Sequence, residues 1–181
     1  MSTFKMFFAG SGGQGVILMG QMVTHAAMLD DKQSTFFPSY GPEMRGGTAS
    51  CTVVVSDKTV SCPVINEADF VVAMNLPSFT KFEPMLKPGG IILFNSSMVN
   101  VGKTRGDVTA VSVPVNDLAT ELGNTLVANM IMLGAFIRVT NVVSEASVKK
   151  IIDGTIGKKK AELLEINMKA FDLWVPEKGV L

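Results

Sequence analysis

The chain has 181 residues, 47% of them hydrophobic, which is enough to bury a core without disulfides or metals, so a single domain over residues 1–181 is expected. Sixteen basic residues balance sixteen acidic ones, leaving no strong field to draw the chain toward nucleic acid or an anionic membrane. Mean hydropathy is positive, +0.34, yet no apolar run approaches the roughly 20 residues that cross a bilayer. The opening Met1-Ser2-Thr3-Phe4-Lys5 leads straight into a strand-like run without the architecture of a signal peptide; the expectation is a cytoplasmic chain with no membrane span.

In chain order, residues 4–9 are a short apolar run ending in Gly10-Ser11-Gly12-Gly13-Gln14-Gly15, and residues 16–29 are long and unbroken enough for a helix. That is strand, glycine-rich turn, helix. The helix is apolar nearly all round, with Gln21, Thr24 and His25 on one side, so burial on most faces is predicted. His25, the only histidine, reads as a structural side chain among apolar neighbours. Residues 33–38 offer a short strand, 39–47 a loop, and 48–56, rich in Val and Thr, another strand. Asp57-Lys58 looks like a hairpin turn into Val60-Ser61-Cys62, which predicts an antiparallel pair inserted into or flanking a mostly parallel sheet.

Residues 70–74 have the continuous apolar character of a central parallel strand. A helix over 77–86 follows, ended by the turn Lys87-Pro88-Gly89-Gly90, and further strands are predicted at 91–94 and 108–113. Helices are predicted at 116–122, 127–139, 145–153 and 158–174. In the last of these, Leu164, Met168, Phe171 and Trp174 form one stripe suited to core or subunit interface, and Lys158-Lys159-Lys160 near its start reads as a solvated face. The alternation predicts an α/β fold: a Rossmann-like, mostly parallel sheet with an antiparallel hairpin and helices on both faces.

Cys51 and Cys62 lack the paired spacing of zinc sites and the four-cysteine runs of iron–sulfur clusters, so they read as small side chains in or near strands. Gly10, Gly12 and Gly15 fit G-x-G-x-x-G between strand and helix, where backbone N–H groups can face a phosphate or another anion; equally, they can serve a tight turn alone. The dinucleotide version expects an acidic residue at the end of the second strand. Asp30 and Asp31 precede that strand and Pro38-Ser39-Tyr40 ends it, which weakens a nicotinamide reading. Val16 and Ile17 stand where a Walker loop needs Lys and Ser or Thr, which excludes nucleotide hydrolysis.

The loop Ser39-Tyr40-Gly41-Pro42-Glu43-Met44-Arg45-Gly46-Gly47 interleaves an aromatic, a carboxylate and a guanidinium with glycines. Arg45 offers a planar fork for carboxylate or phosphate, and Gly46-Gly47 lets backbone approach a ligand; a Glu43–Arg45 surface pair with ordinary turn glycines is the alternative. With both motifs in view, the chain resembles the gamma subunits of 2-oxoacid:ferredoxin oxidoreductases. The resemblance rests on Gly10-Ser11-Gly12-Gly13-Gln14-Gly15 and on Tyr40-Gly41-Pro42-Glu43-Met44-Arg45-Gly46-Gly47 leading into the strand with Cys51. It continues through Glu67-Ala68-Asp69, Lys87-Pro88-Gly89-Gly90 and Asn129 with Leu133-Gly134-Ala135, and so covers nearly the whole chain.

That resemblance implies an enzyme that oxidatively decarboxylates a 2-oxoacid, 2-oxoglutarate being favoured, to an acyl-coenzyme A and CO2 and passes electrons to ferredoxin. It implies thiamine diphosphate, magnesium and 4Fe-4S clusters in alpha, beta and delta partner subunits, and coenzyme A at a shared site. Gly12, Gly13, Gln14 and Gly15 are the expected backbone and amide contacts, Arg45 the partner of an anionic group, Tyr40 and Glu43 the residues that position the loop, and Gly46 and Gly47 the points where backbone comes close to the ligand. The two motifs are expected on one face, toward the catalytic subunits, and no residue has the marks of a nucleophile or general base. Alternatives are the small subunit of an indolepyruvate-type oxidoreductase, a free-standing Rossmann-like nucleotide binder and a noncatalytic assembly subunit.

Overall fold

The computed structural model describes residues 2–41, 47–60, 62–102, 104–157 and 161–176. The strands are β1 (Thr3–Ser11), β2 (Gln33–Tyr40), β3 (Thr48–Ser56), β4 (Ala68–Ala73), β5 (Leu86–Asn95) and β6 (Thr109–Val113). The helices are α1 (Val16–Leu29), α2 (Leu76–Phe82), α3 (Val115–Glu121), α4 (Ala128–Thr140), α5 (Glu145–Ile152) and α6 (Ala161–Leu173). One six-stranded sheet has the order β2-β3-β1-β4-β5-β6. β1, β4, β5 and β6 run parallel, whereas β3 is antiparallel to both β1 and β2.

The antiparallel element is therefore the β2–β3 pair, and the hairpin expected at Asp57-Lys58 is not formed. Both edges of β3 are already used, Met6 opposing Val53 on one side and Phe36 opposing it on the other. No edge remains for Val60 and Cys62, which lie outside any strand. A second correction concerns Lys87-Pro88-Gly89-Gly90, which belongs to β5 rather than to a helix-ending turn. The pairing steps from Ala68 opposite Leu86 to Phe70 opposite Ile91, so these residues are absorbed as a bulge. The helix before them stops at Phe82, and Glu83–Met85 is a short 3-10 turn. The sequence Lys158-Lys159-Lys160 lies outside the described residues.

Period-two alternation divides the core between the two faces of the sheet. Met6, Phe8, Cys51, Val53, Val72 and Leu93 point to one face and pack with α1, α3, α4, α5 and α6. Phe7, Ala9, Val54, Val71, Ile92 and Phe94 point to the other, against Phe79 and Phe82 of α2. Phe136 of α4 meets Phe8 and Phe70 edge-on at 5.0 and 6.0 Å between ring centroids; truncation of such a buried ring costs about 3–5 kcal/mol.

The expected stripe on α6 is core: Phe171 is fully buried, and Leu164, Met168 and Trp174 pack at its margin. α6 can come this close because α4 carries Gly134 at the crossing, where any side chain would strike the Phe171 carbonyl. Arg138 completes the joint by donating to the carbonyls of Phe171 at 2.7 Å and Trp174 at 3.2 Å. Those carbonyls close the last turn of α6, where a cation is favoured. None of the described helices is long and apolar enough to cross a membrane.

Candidate functional site

Topology brings the two sequence motifs to one end of the sheet. Ser11, the last residue of β1, opposes Thr48, the first of β3, and Tyr40 at the end of β2 opposes Ala49. The glycine turn and both ends of the β2–β3 connection therefore share the carboxyl edge of the parallel strands, where ligands bind in open α/β sheets. Two hydrogen bonds fix them together: Gly12 N donates to the Gly47 carbonyl at 2.9 Å, and Gly41 N to the Thr48 carbonyl at 2.7 Å.

Between them lies a cavity of about 460 Å³, lined by Ser11, Gly12, Gly13 and Gly15 of the turn, Val16 to Leu18 and Gln21 of α1, Tyr40, and Gly47 to Ala49. Gly15 is the N-cap of α1, in the left-handed region at φ 73°, without a side-chain cap and with no acidic residue in the first turn. The first-turn amides of Val16, Ile17 and Leu18 precede the first intrahelical bond, which Met19 N makes to the Gly15 carbonyl at 3.0 Å. Open amides and an uncompensated dipole make this helix start a place for an anion. Glycine is required at position 15 on two counts, since beyond its left-handed backbone a Cβ there would collide with the Asn129 side chain on the first turn of α4.

Of the residues expected to form the site, Gly12, Gly13, Gly15, Tyr40 and Gly47 line this cavity. Glu43, Arg45 and Gly46 lie outside the described residues. Gln14 is placed differently from the expectation: its carboxamide is engaged with Ser11, Met74 and Asn75 behind the turn rather than lining the cavity. Sequence reasoning missed Thr48 and Gln21 at the cavity wall, and it named Asn129 only within the family resemblance, without its place behind Gly15. The helical step from Ile17 to Gln21 offered a signal for the second, but nothing local signalled the non-local contact of Asn129.

Tyr40, 69% exposed, stands at the end of β2, where a dinucleotide fold would place a carboxylate. Asp30 is occupied elsewhere, accepting from the backbone and hydroxyl of Ser144 and from the Ser147 hydroxyl. His25 is exposed rather than packed among apolar neighbours, because positions 21, 25 and 28 form the solvent face of α1.

Cys51 is buried beneath α1, its thiol 3.6 Å from the Val16 carbonyl, and burial pushes it up to about 12 against the opposing hydrogen bonds from Gly20 and Phe8. Such a thiol stays protonated and makes a poor metal ligand or nucleophile. Cys62 is exposed. Among the described residues no three His, Cys, Asp or Glu side chains gather into a metal-binding group.

Residues 5–174 match the model of the pyruvate ferredoxin/flavodoxin oxidoreductase family. This chain belongs to that family. It is 37% identical over 157 residues to the 2-oxoglutarate synthase subunit KorC of Methanocaldococcus jannaschii, covering 85% of this chain and 84% of that one. The gamma subunit of a keto/oxoacid ferredoxin oxidoreductase from Geobacter sulfurreducens superposes with a TM-score of 0.78 at 30% identity, over 93% of this chain and 94% of that one. The 2-oxoglutarate:ferredoxin oxidoreductase of Magnetococcus marinus, solved with 2-oxoglutarate, coenzyme A and succinyl-CoA bound, superposes with a TM-score of 0.89 at 26% identity, over 95% of this chain but 30% of that one. The chain likewise spans only 35% of the length of the ketoisovalerate subunits VorA of Methanothermobacter that it matches. The family thus carries this fold both as a separate gamma subunit and as one part of a longer chain, and the expected α/β architecture agrees with both.

Proposed function

We propose that this chain is the gamma subunit of a 2-oxoacid:ferredoxin oxidoreductase and that its glycine turn holds an anionic part of coenzyme A at the border with the catalytic subunits. The observation that carries the reading is the uncapped start of α1 opening into the cavity between Gly12 and Tyr40. Helix amides and dipole can bind a phosphate there. Ile17, Leu18 and the Tyr40 ring offer apolar surface for the rest of an extended ligand, and the Thr48 hydroxyl offers a polar anchor. Arg45, expected from the sequence to meet an anionic group, falls between Tyr40 and Gly47 in the sequence.

In this reading the chain's own residues bind, orient and exclude water. Thiamine diphosphate, when bound in the partner subunits, supplies the stabilised carbanion chemistry of decarboxylation, and 4Fe-4S clusters there carry electrons to ferredoxin. The protonated, buried Cys51 and the exposed, solitary Cys62 fit no cluster in this chain. The partners proposed are alpha, beta and delta subunits in the cytoplasm, and residues 1–181 act as one domain within their complex.

The proposed substrate is 2-oxoglutarate. The match to KorC over 85% of this chain and 84% of that one supports this choice, while the VorA and PorC matches keep a branched 2-oxoacid and pyruvate as the competitors to test. The experiment is to tag the chain in its native host, purify it gently without oxygen, and assay coenzyme A-dependent dye reduction with several 2-oxoacids. Brown partner subunits and turnover fastest with 2-oxoglutarate are expected. A colourless single chain, recovered under conditions that preserve such complexes, would sink the assignment.

A further inference from the structure

Behind the glycine turn, on the side away from the cavity, a relay of carboxamides joins the connections at the carboxyl edge of the sheet. Gln14 Oε1 accepts from Ser11 N at 2.7 Å and from Asn75 Nδ2 at 3.1 Å. Its Nε2 donates to the Met74 carbonyl at 3.1 Å and lies 3.5 Å from the Met98 sulfur. Three of the four hydrogen-bonding positions of the side chain are thereby taken up by Ser11, Asn75 and Met74, and the fourth faces the half-exposed Met98. Asn75 also donates to the Ser11 hydroxyl at 2.7 Å and caps α2 by accepting from Ser78 N at 3.0 Å. Asn95, fully buried at the end of β5, donates to the same Met74 carbonyl at 3.2 Å and to Asn116 Oδ1 at 2.7 Å.

We propose that Gln14 is a positioning residue for ligand binding: its carboxamide locks the glycine turn to the end of β4, so that the turn and the start of α1 are already in binding geometry before a ligand arrives. The physical need is specific to this sequence. Four of the six residues from Gly10 to Gly15 are glycine, the residue with the most conformational freedom to lose, and an unbraced turn would lose that freedom on binding. Gln14 acts through Ser11 N and the Met74 carbonyl, not by touching the ligand. The inference rests on the reading of the cavity as a coenzyme A site.

The test uses the assembled complex carrying Gln14→Met, which keeps bulk and removes every hydrogen bond, or Gln14→Glu, which keeps the two acceptor contacts but turns an oxygen toward the Met74 carbonyl. Steady-state kinetics are combined with amide hydrogen exchange. For Gln14→Met the expected result is a KM for coenzyme A raised about tenfold with kcat within about twofold of the parent, the pattern of lost binding energy rather than lost chemistry. The KM for the 2-oxoacid should stay unchanged, exchange should quicken only at residues 11–15, and Gln14→Glu should fall between parent and Gln14→Met. Unchanged coenzyme A kinetics and unchanged exchange in Gln14→Met would overturn the inference, as would failure of both variants to assemble, which would make Gln14 a folding residue. A parent complex that turns over without coenzyme A would instead sink the functional reading, and exchange at residues 11–15 would still decide whether Gln14 braces the turn.

Discussion

At the scale of single residues, the site depends on positions where a side chain is sterically forbidden. Gly15 combines φ 73° with a Cβ direction already filled by the Asn129 side chain. Gly15→Ala therefore meets backbone strain and a collision together, and we predict a loss of about 2 kcal/mol in unfolding free energy, measured by urea denaturation of parent and variant. A loss below about 0.5 kcal/mol, the usual range for a neutral surface change, would mean that the turn relaxes around the new methyl. The sequence marked Gly15 as special through its spacing from Gly10 and Gly12, but Asn129 is 114 positions away and its approach depends on where α4 lands on the sheet. Gln14 shows the same limit from the other side. Its place inside a glycine motif suggested ligand contact, and only the positions of Met74 and Asn75 reveal that its amide faces inward.

At the scale of elements, patterning was most legible where one period dominated: α1 runs over Val16–Leu29 and β3 over Thr48–Ser56, as the uninterrupted apolar and Val-Thr runs predict. The partner of β3 was not legible, because β-branched residues specify a strand but not which edges it will share. Caps between elements were also hidden, and Asp30 is the clearest case. It ends α1 yet accepts from Ser144 N at 2.6 Å, Ser144 Oγ at 2.8 Å and Ser147 Oγ at 2.5 Å, anchoring the start of α5. Burial raises its carboxyl, but the hydrogen bonds from Ser147 and Ser144 and the charge of Lys32 outweigh this and leave it lowered. A carboxylate lowered in the fold contributes stability above its unfolded value, about 3.9, and that contribution is lost as pH falls through the folded value. Asp30→Asn should therefore lower the urea midpoint at pH 7, and the gap between parent and variant should narrow as the pH is taken below 4. A gap independent of pH would show that the anchor does not depend on the charge of Asp30.

At the scale of the whole molecule, the edge that carries the glycine turn also carries exposed apolar side chains in its connections: Leu76 after β4, Met98 after β5 and Leu126 just before α4, the last 85% exposed. Isolated apolar side chains are ordinary on a protein surface, but these three follow the same edge as the proposed ligand site. In the Magnetococcus enzyme and the VorA subunits the matching region is only about a third of a longer chain, so relatives keep this fold covalently joined to further polypeptide. Where the gamma fold is a separate subunit, surface contact has to replace that covalent link. We predict that the isolated chain shows no dye reduction with any 2-oxoacid, and that adding the partner subunits restores it. Leu126→Asp should leave the thermal midpoint of the isolated chain within about 2 °C, because an exposed position off the core changes stability by no more than about 0.5 kcal/mol. The same substitution should lower the fraction of partner subunits that copurify with a tagged chain. If Leu126→Asp assembles and turns over like the parent, this edge is not the docking face, and the proposed coenzyme A cavity would have to function away from the subunit border.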